Sequence, residues 1–136
     1  MANGLYIAAK EGFLNGTVNF STDNIKALLV DTGAYTVDLT THANLSDIPT
    51  LARIATSSNL GTKTVTGGAA DAADVAFTAV VGPTVEAIVL YKDTGSATTS
   101  RLIAYIDTGV SGLPVTPNGG DITVSWDNGS NKIFKL

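Results

Sequence analysis

Two apolar runs dominate the hydropathy pattern, and both lie within residues 84–107, TVEAIVLYKDTGSATTSRLIAYID. Residues 85–91 and 102–106 are apolar at nearly every position. A loop of small polar residues around Asp93-Thr94-Gly95 separates them. Short apolar runs rich in β-branched and aromatic residues, bounded by turn formers, predict strands. Together they predict a β-hairpin at the centre of a β domain. With strict alternation, Val85, Ala87, Val89 and Tyr91 share one face of the first strand, and Ile88 and Leu90 the other. In the second strand Leu102, Ala104 and Ile106 oppose Ile103 and Tyr105. Both faces of both strands are apolar, so both need cover. An opposing sheet is expected on one side; a helix, a long loop or another subunit on the other.

The rest of the chain reads as further β structure with one helix. In residues 1–15, Leu5, Ala8, Ala9 and Phe13 fall at helical spacing; Asn3 is the expected N-cap and Asn15-Gly16 the stop. Residues 17–20 suggest a short edge strand, and IKALLVD at 25–31 a buried one. Residues 35–49 suggest an Ω-like excursion, with a short helical turn before Pro49 and Leu45 and Ile48 as its anchors. Residues 51–55 and 63–66 predict short strands, the second broken by Gly67-Gly68, and 69–73 carries little pattern. Residues 75–81 alternate, with Val75, Phe77, Ala79 and Val81 on one face. Residues 109–120 form a Gly- and Pro-rich crossover. Ile122, Val124 and Trp126 mark a half-buried strand, and Asp127-Asn128-Gly129-Ser130 is a type I′ hairpin signal returning residues 132–136 onto it. The expected fold is a single all-β domain over 1–136, an antiparallel β-sandwich or partly open barrel of about eight to ten strands with a short N-terminal helix.

Composition narrows the chemistry. The 136 residues suit one domain with a real core, and there is no cysteine for a disulfide or thiolate metal site. The net charge of -4, with scattered Lys and Arg, argues against nucleic-acid and anionic-membrane partners. With no apolar run of bilayer length and no signal-peptide pattern, the chain is expected to be soluble and made in the cytosol.

A hydrolytic triad would have to use His42, the sole histidine, with Asp38 or Asp47. No nucleophile elbow accompanies it, and the simpler expectation is an imidazole that bonds and orders its own loop. Asp71 and Asp74, the Asp93-Thr94-Gly95-Ser96 turn and the Asn118-Gly119-Gly120-Asp121 turn are oxygen-rich. None has the ligand spacing of an EF-hand loop; turn chemistry is the simpler expectation, with a loose calcium site as the alternative. Gly67-Gly68 and Gly119-Gly120 lack the Lys-Ser/Thr and helix of a phosphate loop. The chain is therefore read as no enzyme, with no catalytic, cofactor-binding or metal-ligating residue assigned and no cofactor required.

Several blocks together resemble a family of small virion structural proteins of tailed bacteriophages. They are KEGFLNG at 10–16, IKALLVD at 25–31, THANLSDIP at 41–49, LIAYID at 102–107, GLPVTPNGGDI at 112–122 and KIFKL at 132–136. The likeness runs the length of the chain and contains no active-site motif. It implies a structural particle protein, made in the host cytoplasm and located in the virion. Capsid decoration (cement) is the first expectation; a head–tail connector or tail component is the second. The implied partners are further copies of the chain, a trimer being favoured, and the major capsid protein or other virion proteins. A cement protein works by contact area, so the central strands, the 35–49 excursion, the crossover and the N-terminal segment are the expected contact elements. A different class, a carbohydrate- or receptor-binding module on the particle, would require Tyr35, Tyr91 or Tyr105 exposed as a flat platform near Asp and Asn.

Overall fold

The central hairpin forms as β7 (Ala87–Lys92) and β8 (Leu102–Ile106), paired antiparallel. The computed structural model describes residues 3–127, 129 and 132–136. Around the hairpin runs a five-stranded antiparallel sheet in the order β1-β8-β7-β2-β3, with β1 at Gly4–Leu5, β2 at Ile25–Val30 and β3 at Arg53–Thr56. A three-stranded sheet has the order β10-β5-β4, from Phe134–Lys135, Ala69–Asp71 and Thr64–Thr66. A two-stranded sheet pairs β6 (Val75–Phe77) with β9 (Ile122–Val124). The fold is all-β and antiparallel, with one short helix, α1 (Ile7–Asn15), and no sheet closed into a barrel among the described residues.

The two faces of the five-stranded sheet carry two separate cores. On the first, Ile25, Ala27 and Leu29 of β2 and Ile88 and Leu90 of β7 pack under the two smaller sheets, with Ala9 of α1 beside them. On the second, Leu28, Val30, Ala87, Val89 and Leu102 pack under Tyr6 and the irregular chain between β2 and β3. Leu45 and Ile48 hold that chain down, as their spacing predicts. Of the three covers open to this face, a long loop of the same chain supplies most of it.

Strict alternation fails in β8. Leu90 faces Ala104 but Tyr91 faces Leu102, so Ile103 is an extra residue in the ladder. A bulge of this kind moves the following residue back to the same side. Ile103, Ala104 and Ile106 thus join the first core, and Leu102 and Tyr105 the second. The same device recurs at the far edge. Leu29 faces Ala55 and Val30 faces Arg53, so Ile54 is the extra residue, and Ile54 and Ala55 both pack on the first core.

Elsewhere, local signals yield to tertiary partners. The helix is shorter than its pattern: Gly4 and Leu5 add a strand to β8, and Tyr6 N donates to Ile103 O at 3.0 Å. Asn3 is no N-cap. Its side chain ties the strand end to Asp107 and Thr108, accepting from both amides at 2.8 and 3.0 Å. Met1 and Ala2 lie outside the described residues. Residues 17–20 form no strand, and a turn starts at Asn19, whose Oδ1 accepts from the Ser21 and Thr22 amides. Arg53–Thr56 is preceded by a single 3-10 turn, Thr50–Ala52, where a strand was expected. Residues 69–71, weakly patterned, are a strand, because Gly67 and Gly68 at positive φ close a two-residue hairpin with β4. β6 stops at Phe77: Ala79 takes φ 50°, its amide donates to Asp121 Oδ1, and Val80 rather than Val81 turns inward. Finally, β10 pairs with β5 and not with β9, so residues 132–136 make no hairpin with the strand before them. The Asp127-Asn128-Gly129-Ser130 turn falls partly outside the described residues.

Candidate functional site

The loop that covers the second core brings together the residues with the most chemical character. It leaves β2 through a turn in which Asp31 Oδ1 accepts from Gly33 N at 2.8 Å, and Glu86 Oε1 accepts from Thr32 N and Oγ1, both at 3.0 Å. Tyr35 then points inward. Its hydroxyl lies 2.9 Å from that of Tyr6 and 2.9 Å from His42 Nδ1. His42 Nδ1 also accepts from Asp38 N at 3.3 Å, and His42 N donates to Asp38 O at 3.1 Å. The imidazole therefore binds the backbone of its own loop, as expected.

The two carboxylates beside it are engaged elsewhere. Asp38 Oδ1 accepts from Thr40 N and Thr41 N at 3.0 and 3.1 Å. Asp47 Oδ2 accepts from Ala43 N at 2.7 Å and Asn44 N at 3.0 Å. Hydrogen bonds from Thr41, side chain first, hold the Asp38 carboxyl below the usual range, and the Ala43 and Asn44 amides do the same for Asp47. Neither carboxylate makes a hydrogen bond to the imidazole among the described residues. The pairing that orients a triad histidine is not formed, and both acids act as caps on turns.

The oxygen-rich turns resolve in the same way. Asp93 Oδ1 accepts from Gly95 N at 3.1 Å, while its other oxygen pairs with Lys26 at 3.2 Å; the amide, then the lysine, lower its pKa. Asn118 Oδ1 accepts from Gly120 N. Asp74 receives Ser125 Oγ and Trp126 N, which fixes the end of β9. Asp71 sits in β5, facing Thr64 of β4. Among the described residues, no three His, Cys, Asp or Glu side chains converge as a metal site would require.

All four tyrosines are buried, with Tyr6, Tyr35, Tyr91 and Tyr105 each at most 3% exposed. Burial raises the pKa of each, that of Tyr105 to about 12. Trp126 is buried too, its indole Nε1 donating to Ala73 O at 3.0 Å. The exposed tyrosine platform on which a carbohydrate-binding reading depended is not there.

Among the described residues, the surface features include two clefts and several apolar side chains. One cleft of about 660 Å³ lies between β1, the end of β8 and the C-terminal strand, with Lys10, Lys132, Lys135 and Asp127 on its walls. A second, of about 350 Å³, lies between the end of α1 and the three-stranded sheet, lined by Phe13, Val18, Phe20, Val65 and Phe134. Leu14 and Leu51 are more than four-fifths exposed, and Val65, Val81 and Leu136 are largely so. These outward residues had no signal of their own in the sequence, since an apolar residue in a short strand or helix reads first as core. No family model matches the chain, and no curated protein does.

Proposed function

We propose that this chain is a structural protein of a tailed-bacteriophage virion, and within it a capsid decoration protein that stabilises the head as a homo-oligomer. The reading rests on the resemblance of the sequence blocks quoted above to that family. The blocks fall on the packed framework: 25–31 is β2 and its turn, 102–107 is β8, 41–49 is the covering loop and 132–136 contains β10. The geometry supports a role by contact area. One chain closes both faces of its main sheet, which makes a rigid unit, and leaves Leu14, Leu51, Val65, Val81 and Leu136 outside. The central strands, sealed on both faces, drop out as contact surfaces. The crossover, the helix and the covering loop remain. A net charge of -4 suits an outer face rather than one against packaged DNA.

The test is to locate the chain in intact particles by cryo-electron microscopy, and to measure its mass in solution. Density on the head lattice in many copies, with an oligomer in solution, is the expected result. Density at the neck or tail would keep the virion role and overturn decoration. Absence from purified particles would overturn both.

A further inference from the structure

His42, the sole histidine, ends a chain of hydrogen bonds that runs from the sheet's second core to the surface. Its direction can be deduced. A backbone amide can only donate, so the Asp38 N–H, 3.3 Å from Nδ1, requires an unprotonated Nδ1. The Tyr35 hydroxyl must then donate to Nδ1, and its oxygen must receive the proton of Tyr6. Two gaps, Tyr6 to Tyr35 and Tyr35 to His42, hold two protons.

Protonating His42 at Nδ1 puts three protons into two gaps. One phenolic proton is driven out, and Asp38 N–H faces another donor. Tyr6 is fully buried and Tyr35 nearly so, and Tyr6 Oη makes no other hydrogen bond among the described residues. A buried hydroxyl without an acceptor is costly, so the imidazolium is better placed outside the clasp. Asp38 and Asp47 are the carboxylates that act on His42 from its own loop. From the sheet side the loop's neighbour is Arg101, bridged through the backbone to Asn44, and the ionisable groups behind Tyr35 are Tyr6 and Tyr105.

We propose that residues 35–42 form a proton-operated flap over the second core, latched by the Tyr6–Tyr35–His42 chain when His42 is neutral and released when it is protonated. The division within the loop follows from its backbone bonds. Residues 43–46 are fastened to the β7–β8 hairpin: Leu45 N donates to Ser100 O, Ser46 N to Ala97 O, and Leu102 N to Ala43 O. Among the described residues, 35–42 have only the Ile7 N to Leu39 O bond to another element, besides the latch itself. Release exposes the part of the sheet beneath Tyr35, Val37 and Leu39.

Amide hydrogen exchange on the full chain, read residue by residue from about pH 8 to about pH 5, tests this. After correction for intrinsic rates, protection at Asp38 and His42 should fall about tenfold in acid, while Leu45, Ser46 and Ile48 keep theirs. His42→Asn, whose side-chain oxygen can accept near the Nδ1 position without titrating, should keep protection at both pH values. If that variant folds poorly, the wild type suffices: the ring-proton shifts of His42 and the Asp38 amide must share one midpoint. Constant protection at Asp38, equal loss in both halves of the loop, or an unchanged pH response in His42→Asn would overturn the flap.

Discussion

The two faces of the central sheet solve the same problem with different chemistry. All four phenylalanines and the tryptophan pack on the first core, and all four tyrosines on the second. The first face is roofed largely by strands and a helix, whose own ladders satisfy much of the backbone, so the filling between is apolar but for the Trp126 indole N–H, which donates to Ala73 O. Phe20 and Phe134 meet edge to face there at 5.5 Å, and Phe13 stacks on Phe134. The second face is roofed by irregular chain, which must satisfy its polar groups one at a time. A tyrosine suits such a boundary, with an apolar ring for the sheet and a hydroxyl for the loop. The first core is thus held by shape and the second by shape plus directed bonds.

The largest effect should come from placing a charge under the roof of strands. Leu90→Asp or Ile103→Asp would bury a carboxylate with no partner, at a cost of several kcal/mol, comparable to the whole stability of a domain. Neither variant should give soluble protein with a cooperative thermal transition. A folded, soluble product would show that this face is not the core described.

The next comparison sets the faces against each other. Leu90→Ala should lower unfolding stability by ~2–5 kcal/mol through lost burial and the cavity left behind. Tyr35→Phe keeps the ring but removes the bonds to Tyr6 and His42, for about 1–3 kcal/mol. Denaturant melts should rank them in that order. Exchange in residues 35–42 should rise in Tyr35→Phe before the sheet is affected. Equal costs, or a tyrosine variant that loosens the sheet first, would erase the distinction between the faces.

The gentlest probe is alkali, which acts on the tyrosine face. Burial, followed by the Asp107 charge, pushes the Tyr105 hydroxyl up to about 12, and Tyr6 is raised further. Phenols in the unfolded chain ionise near the ordinary value of about 10. A folded-state value above the unfolded one means that the contribution is intact below about pH 10 and is lost as pH climbs toward the folded value. Tyrosinate absorbance should therefore lag behind that of a free phenol and rise together with loss of protection in the loop. Ionisation of all four tyrosines near pH 10 with the fold intact would contradict their burial.

Much of this architecture is legible in the amino-acid order. The runs at 25–31, 85–91 and 102–106 are apolar on both faces and, being short, β-branched and bounded by turn formers, point to a sheet covered twice. Leu45 and Ile48 announce an anchored loop, and the small polar turns announce themselves through Asp, Asn and Gly. The loop's latch was only half visible: His42 reads as a loop-ordering residue, but nothing local to it names Tyr35 and Tyr6, seven and thirty-six positions away, as its partners.

What tertiary structure alone decided has a common cause. The bulges at Ile54 and Ile103, the strand at Gly4–Leu5, the end of β6 at Phe77 and the pairing of β10 with β5 all depend on which backbone lies alongside. Side-chain periodicity records what a residue is buried against, and survives in the sequence. A backbone hydrogen bond carries no side-chain signature, so the choice of partner strand, its register and the one-residue slips within it are set only when the chain packs. The order of residues determined that this protein is a β domain with a doubly covered sheet. Packing determined that the second cover is its own loop, and that the tyrosines face it.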